Sequence, residues 1–341
     1  MAHEEIVNLL SEMVKIKSIS SDKKHRDDVD VSAQFVENLF SGLGLETQVI
    51  KVAGGMPAVV AHTELDPSKK TVLLYAHHDV QPVGDLNLWT TDPFDPVIQD
   101  GRLFGRGSGD NKAGVVVHYN VVKELLEDLP VNIKIFIEGE EEIGSPTMSS
   151  FIEQNRESLD ADVIVIADSG NVKIGVPTIT TTLRGLVDGI IEVDQPMRPI
   201  HSGVGGGVVP DAFMVLSRII ASFHNEKGEL MIEGLTSTDM QVTELEESFL
   251  KKMLGSDDIN LFDTESISKR LWLEPALDVL AIDAPAVKDA VNLVIPKASA
   301  KISLRLPPTE DPEHAMKMLE EHVMKNIPWN ASVKFIPNSK G

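Results

Sequence analysis

The chain has 341 residues, 42% of them hydrophobic, and a formal net charge of −22. This length and apolar content predict two domains, and the acidity argues against nucleic acid or an anionic membrane as a partner, since both require a basic face. The absence of cysteine excludes disulfides, a thiolate zinc site and a cysteine nucleophile, and suits a cytoplasmic protein. The sequence shows neither the unbroken apolar core of a signal peptide nor a run long enough for a membrane span, so we predict no membrane segment.

Periodic apolar residues in the first half of the chain predict alternating helices and strands, and so an α/β layer with helices on both faces. An amphipathic helix opens the chain. The runs at 71–76, 131–139 and 162–168 are so continuously apolar that we expect buried strands there. The proline- and glycine-rich stretch 78–112 is typical of long functional loops. The remaining predicted elements are helices at 30–42, 113–127 and 147–156 and strands at 46–51 and 57–62.

The pattern changes near residue 177, where we place the boundary between a first domain at 1–176 and a second at 177–341. The second domain shows the order β-α-β-β-α-β, which is typical of a ferredoxin-like α+β unit. The polar stretch 226–272 is interpreted as an insertion. The predicted elements are a strand at 178–194, a helix at 210–223, strands at 276–283 and 299–306, a helix at 312–325 and a strand at 331–336.

Short motifs with metal-binding side chains follow the predicted strands. His77 and Asp79 stand two residues apart at a strand end, so their side chains point the same way, and a ligating imidazole commonly needs a carboxylate to fix its tautomer. Asp110 lies in a glycine-rich loop that opens a helix. A phosphate site is disfavoured there, because the spacing matches neither the P-loop nor the Rossmann fingerprint. Taken alone, either motif could equally be a polar loop start or a helix cap.

Four glutamates follow the predicted strand at 131–139, namely Glu138, Glu140, Glu141 and Glu142. A run of charge is usually a solvated surface. Around a cation, however, one glutamate can ligate while its neighbour accepts a proton from water.

Two further residues with side chains that could act in a site, Asp168 and His201, also stand at a strand end or in a glycine-rich loop. Asp168 ends the predicted strand at 162–168, where open α/β sheets bind ligands. His201 lies in a glycine-rich loop, which is typical of a segment that approaches a ligand, although an isolated loop histidine is commonly incidental. Because several strand ends and loops each offer a metal-type side chain, the sequence favours a metal-dependent hydrolase.

At these residues the chain resembles the dinuclear zinc metallopeptidases that include carnosinase-like cytosolic dipeptidases, glutamate carboxypeptidase and aminoacylase-1. The carnosinase-type dipeptidase branch is the one that it resembles most. The likeness covers essentially the whole chain. It rests on His77-x-Asp79-Val80-Gln81-Pro82, Gly105-Arg106-Gly107 before Asp110, Glu138-Gly139-x-Glu141-Glu142-x-Gly144-Ser145, Asp168, His201-Ser202-Gly203, Ile295-Pro296 and Ser303-x-Arg305-x-x-Pro308.

The resemblance implies a zinc-peptidase-like catalytic domain with a mixed sheet between helices, plus a ferredoxin-like lid that forms a homodimer. It also implies two divalent metal ions, zinc or alternatively manganese or cobalt, and a small peptide substrate whose amide bond is attacked by a metal-bridging water. The implied roles are His77 and Asp168 on one ion, Glu142 on the other, Asp110 between them, Asp79 orienting His77, Glu141 as general base, His201 steadying the oxyanion from the partner's lid, and Arg305 on the substrate carboxylate.

Two features depart from the family pattern. Asn111 stands where relatives often carry a second aspartate. In relatives the chain also returns from the lid to the catalytic domain and brings a further histidine ligand, and no histidine after residue 170 has a matching context here. We therefore expect an incomplete second metal site. Two alternative functions stay open: an N-acyl-amino-acid deacylase with the same site, and a truncated, catalytically impaired paralogue that acts as an interaction protein.

Overall fold

The computed structural model describes residues 2–171 and 174–340, without the side chains of Ala2 and His3. Internal contacts divide the chain into two units, Met1–Ile179 and Thr180–Gly341. Within the described residues, no helix combines the length and the apolar character needed to cross a membrane.

The first unit is built on a five-stranded sheet of order β1-β2-β6-β3-β7. Strand β3 is parallel to β6 and β7, whereas β2 is antiparallel to β1 and β6, so the sheet is mixed as the resemblance implies. A separate two-stranded hairpin joins β4 to β5. The strands are β1 (Glu46–Ile50), β2 (Ala58–His62), β3 (Thr71–His77), β4 (Val97–Gln99), β5 (Arg102–Phe104), β6 (Asn132–Glu138) and β7 (Val163–Ile166).

Helices cover both faces of this sheet, as predicted. On one face Val36, Phe40 and Val115 pack with Ile135 of β6, while on the other Phe151 stacks on Phe136 with ring centroids 5.0 Å apart. The predicted helix at 147–156 is interrupted at Asn155, so it forms two short helices. The helices are α1 (Ala2–Val14), α2 (Arg26–Gly42), α3 (Lys112–Leu125), α4 (Met148–Gln154) and α5 (Arg156–Leu159).

The exposure of strand β7 differs from the prediction. Every residue of β6 is buried, as predicted, but the prediction of a buried strand at 162–168 was wrong. The four residues of β7 are 44–59% exposed. In the described part of the chain β7 pairs with β3 alone and so lies at the edge of the sheet, which leaves its apolar side chains accessible to water.

The second unit has a four-stranded antiparallel sheet of order β10-β12-β8-β13, with α7 and α10 packed on it. Its principal elements follow the order β-α-β-β-α-β of the ferredoxin-like unit, and Leu216, Leu304 and Leu319 lie in its core. The first strand begins at Gly185 rather than at 178. The elements are β8 (Gly185–Asp194), β9 (Ile200–His201), α6 (Ser202–Gly205), α7 (Ala212–Ala221), α8 (Glu247–Met253), α9 (Ile267–Trp272), β10 (Ala276–Asp283), β11 (Leu293–Val294), β12 (Lys297–Leu306), α10 (Pro312–Lys325) and β13 (Val333–Lys340).

Candidate metal centre

His77 is the last residue of β3, and its imidazole is completely buried. Its Nε2 lies 3.1 Å from Oδ1 of Asp110, 3.7 Å from Oε2 of Glu141 and 3.7 Å from Oδ1 of Asp168. The first carboxylate comes from the loop before α3, the second from the turn after β6 and the third from the segment that follows β7. Because the three parallel strands end at one edge of the sheet, their carboxyl ends bring together side chains that are far apart in sequence.

His77, Asp110 and Asp168 fit a divalent metal ion by geometry and chemistry. One ligand-type atom from each of the three lies within 4.8 Å of the other two. An imidazole nitrogen with two carboxylate oxygens is a donor set that zinc and similar ions accept.

Electrostatics at His77 also favour a cation. Burial alone would lower the pKa of the imidazole, but the carboxylates of Asp168 and Asp79 outweigh burial and raise the pKa to about 11. The surroundings therefore stabilise positive charge at this point, which is a property of a cation site.

Asp79 is buried, and its carboxylate contacts three residues. Its Oδ1 lies 3.3 Å from Nδ1 of His77, in line with the expected role of orienting the ring. Its two carboxylate oxygens also accept the backbone N–H groups of Glu141 and Glu142, at 3.2 and 3.1 Å. The local sequence gives no signal for this second set of bonds.

Glu141 and Glu142 begin a short 3-10 helix that ends at Ile143. Burial raises the pKa of the Glu141 carboxyl; His77 opposes this rise, while Asp168 adds to it. The carboxylate of Glu142 accepts bonds from the backbone N–H and the side-chain amide of Gln81, at 3.2 and 2.9 Å. Glu142 is not one of the three grouped side chains, which are His77, Asp110 and Asp168, so its role as a metal ligand stays a prediction.

The other two glutamates of the run are buried with specific partners, so the solvated-surface interpretation was wrong for them. Glu140 accepts bonds from the backbone N–H and hydroxyl of Thr147, at 2.8 and 2.5 Å, and from the backbone N–H of Met56 at 3.0 Å. Glu138 accepts the hydroxyl of Tyr75 at 2.6 Å. These bonds fix the turn that carries Glu141.

Two residues to which the sequence motifs assigned no role in the site make buried contacts near the centre. The buried amide of Asn111 contacts His77, Ala167 and Asp168. The buried ammonium of Lys112 donates to the backbone carbonyls at the end of α1 and just beyond it. Both residues follow Asp110 in the same loop. The sequence singles out Asn111 as a departure from the family pattern, whereas only its position after Asp110 points to Lys112.

The second unit carries the two predicted substrate-binding residues. His201 ends β9 and is exposed, and its Nδ1 accepts the backbone N–H of Gly203 at 3.0 Å. Arg305 is exposed on β12, where it pairs across the sheet with Ala276 and Leu186. Their assignment to substrate stays a prediction.

Known proteins resemble this chain along most of its length. The family model described as Peptidase family M20/M25/M40 matches residues 73–335. The cysteinylglycine-S-conjugate dipeptidase of Corynebacterium striatum is 34% identical over 338 residues, which are 97% of this chain and 74% of that protein. The human Beta-Ala-His dipeptidase is 30% identical and matches 94% of this chain and 69% of its own length.

Solved structures show the same architecture. The crystal structure of human carnosine dipeptidase 1 matches with a TM-score of 0.79 and 28% identity, over 98% of this chain and 76% of that one. The metallo-carboxypeptidase Sso-CP2 of Sulfolobus solfataricus also matches with a TM-score of 0.79 and 28% identity, over 98% and 79% of the two chains. The chain therefore belongs to peptidase family M20/M25/M40 and is a metallopeptidase.

Proposed function

We propose that this chain hydrolyses the amide bond of dipeptides or short peptides, with Glu141 as general base beside two divalent metal ions. Zinc is the ion that we propose for both. The observation that supports this most directly is the position of Glu141. Its carboxylate lies 3.7 Å from the same Nε2 of His77 that contacts Asp110 at 3.1 Å. A proton acceptor and metal-type ligands therefore converge on one point, which hydrolysis requires.

The ligand roles are those that the resemblance implies, and the grouping of His77, Asp110 and Asp168 supports three of them. His77 and Asp168 would hold one ion and Glu142 the other, with Asp110 between them. When bound, the ions would polarise the scissile carbonyl and acidify the attacking water. Zinc fits the donor set, and manganese or cobalt are the alternatives.

The protein's own groups would move the proton. Glu141 would accept it from the attacking water at a carboxylate oxygen and pass it to the leaving amine. Asp79 would keep Glu141 in place through its bonds to the backbone of the 3-10 helix. The raised pKa of Glu141 strengthens this carboxylate as a base.

Substrate recognition is assigned to the second unit. The guanidinium of Arg305 would bind the substrate carboxylate, for which its planar donors are suited, and His201 would donate to the developing oxyanion. The protein would act in the cytoplasm as a homodimer formed through this ferredoxin-like unit. The named dipeptidases among the relatives support a peptide substrate.

Hydrolysis assays on the full chain test the proposal. The chain is stripped of metal, reloaded with zinc, manganese or cobalt, and given cysteinylglycine, β-alanyl-histidine and a panel of N-acetyl amino acids. We expect dipeptide hydrolysis that a chelator abolishes. Glu141→Gln should lower kcat by about 10²–10⁴-fold, whereas Glu153→Gln, the same change at an exposed position of α4, should leave it unchanged. Turnover of acetylated amino acids alone would favour the deacylase, and turnover that survives Glu141→Gln would refute the proposed base.

A further inference from the structure

The side-chain amide of Asn111 joins two of the candidate metal ligands. It is buried, with 2% of its surface exposed. Its Oδ1 accepts the backbone N–H of His77 at 3.1 Å, and its Nδ2 donates to the backbone carbonyl of Ala167 at 2.5 Å and to Oδ1 of Asp168 at 3.0 Å. The oxygen of this one amide thus accepts a bond from the end of β3, and its NH₂ group donates two bonds to the segment that follows β7.

The partners of Asn111 fix which way the amide faces. The N–H of His77 can only donate, so it must meet the oxygen, and the oxygens of Ala167 and Asp168 must meet the NH₂ group. An aspartate of the same shape offers acceptors only. It would place a carboxylate oxygen against two other oxygens in a buried position, which is costly, and would repel the negative charge of Asp168.

Glu142 is held by a different set of bonds. Its side chain accepts from Gln81, and its backbone N–H donates to Asp79. The bonds of the Asn111 amide go instead to His77, Ala167 and Asp168. A change at the amide should therefore disturb the His77 and Asp168 pair and spare Glu142.

We propose that Asn111 is a positioning residue that sets the separation of His77 and Asp168, and thereby the affinity for the ion that this pair holds. The inference rests on the proposed function, in which His77 and Asp168 share one ion. Loss of the amide weakens that ion selectively, while the ion held through Glu142 stays bound.

Calorimetric titration of the metal-free full chain with zinc tests the inference. Wild type should bind one ion tightly through His77, Asp110 and Asp168, and a second ion more weakly through Glu142, whose site is expected to be incomplete. Asn111→Asp should weaken one of the two by at least about 10-fold, the range found when the hydrogen-bond partner of a metal ligand is removed, and should leave the other within about 3-fold. Asn111→Ala, which adds no charge, should weaken the same ion by a smaller factor. Asn38→Asp is the matched control, because it makes the same change of charge at an exposed position of α2 and keeps the oxygen that accepts from Gln34.

Thermal unfolding of the metal-free proteins separates positioning from general damage. If Asn111→Asp does not fold, the same titration of Asn111→Ala decides the question. Unchanged affinities in the folded variant would refute the inference while leaving the proposed function intact. An equal loss at both ions, together with a large fall in the Tm of the metal-free chain, would also refute it. A wild-type chain that binds no zinc would refute the proposed function and the inference with it.

Discussion

The carboxylate of Asp79 accepts the backbone N–H of Glu141, with 3.2 Å between oxygen and nitrogen. Its second oxygen accepts the N–H of Glu142 at 3.1 Å, and Oδ1 also lies 3.3 Å from Nδ1 of His77. One buried carboxylate therefore links the end of β3 to the turn after β6. The ring of a candidate ligand and the backbone of the candidate base are positioned by the same group.

Asp79→Asn should lower activity without unfolding the protein. The amide keeps the shape of the carboxylate but turns an NH₂ donor towards an N–H group, so one of the two backbone bonds is lost. We expect kcat for a dipeptide to fall by about 10–100-fold, as is common when a residue behind a metal ligand is changed. Asp128→Asn removes one charge at an exposed position and serves as the control. Equal kcat values for the two variants would argue against a positioning role for Asp79.

The fold could be predicted from the sequence as far as local patterns determine it. The runs that form β6 and β7 are similarly apolar and both form strands, yet one is buried and the other exposed. Burial depends on how many neighbours a strand has in the sheet, and strand order is a property of the whole chain rather than of a window of residues. Apolarity therefore predicted the strands but not their places in the sheet.

The residues of the candidate site also differ in how well the sequence alone predicts them. His77, Asp110 and Asp168 stand in recognisable local contexts, so motifs and the rule on strand ends were sufficient to find them. Glu140 looked like solvated surface because its partners, Met56 and Thr147, are separate from it in sequence. A hydrogen bond between distant residues leaves no periodic trace, so only the structure could show it.

Gly114→Ala should destabilise the first unit. A Cβ at this position would lie 2.2 Å from the backbone oxygen of Ala167 and 2.6 Å from Oδ1 of Asn111. Because α3 and the end of β7 would have to separate, we expect the free energy of unfolding of the metal-free chain to fall by about 1–3 kcal/mol in urea titrations. Gly42→Ala is the control, since a Cβ in that position of α2 meets nothing within 4 Å. It should raise stability by up to ~1 kcal/mol, and a similar loss in both variants would contradict the steric argument.

Lys112→Met should also destabilise the fold, although it removes a charge that is costly to bury. Burial lowers the pKa of Lys112 to about 7, against the opposing attraction of Asp79. Its ammonium nevertheless donates to the carbonyls of Met13 and Ile16, at 2.8 and 2.6 Å. Methionine fills the space but removes the bond that the ammonium gives to each carbonyl. Each carbonyl then keeps one backbone partner, the N–H of Ile16 for Met13 and the N–H of Ser18 for Ile16, so the loss is that of hydrogen bonds from a charged group, at about 1.5–3 kcal/mol.

We expect the lost bonds to dominate, so that Lys112→Met lowers the free energy of unfolding by about 2 kcal/mol in urea titrations. Lys123→Met, on the same helix, removes only an exposed pair with Glu5, so it should leave the free energy of unfolding nearly unchanged. A Lys112→Met variant as stable as wild type would show that the burial cost of the ammonium equals the value of its bonds.

Glu310 offers a test of pH dependence away from the metal centre. Its buried carboxylate accepts the backbone N–H and hydroxyl of Thr236, at 2.7 and 2.6 Å, and lies 2.7 Å from Nδ1 of His314. Burial would raise the pKa of Glu310, but the bonds from His314 and Thr236 outweigh it and hold the pKa below its usual range. The ionised form is therefore favoured in the folded state.

The sign of the pH effect follows from that lowered pKa. Stability from Glu310 is fully present above the pKa of the unfolded chain, about 4.3, and is lost as the pH falls through the lower value of the folded state. Glu310→Gln should therefore be less stable than wild type by about 1–3 kcal/mol at neutral pH, and the difference should shrink as the pH falls below about 4. Urea unfolding across this range measures it, with Glu320→Gln, exposed on the helix α10 that follows Glu310, as the control. A difference between Glu310→Gln and wild type that stays constant down to acid pH would mean that the hydrogen bonds of Glu310 stabilise its neutral form equally well.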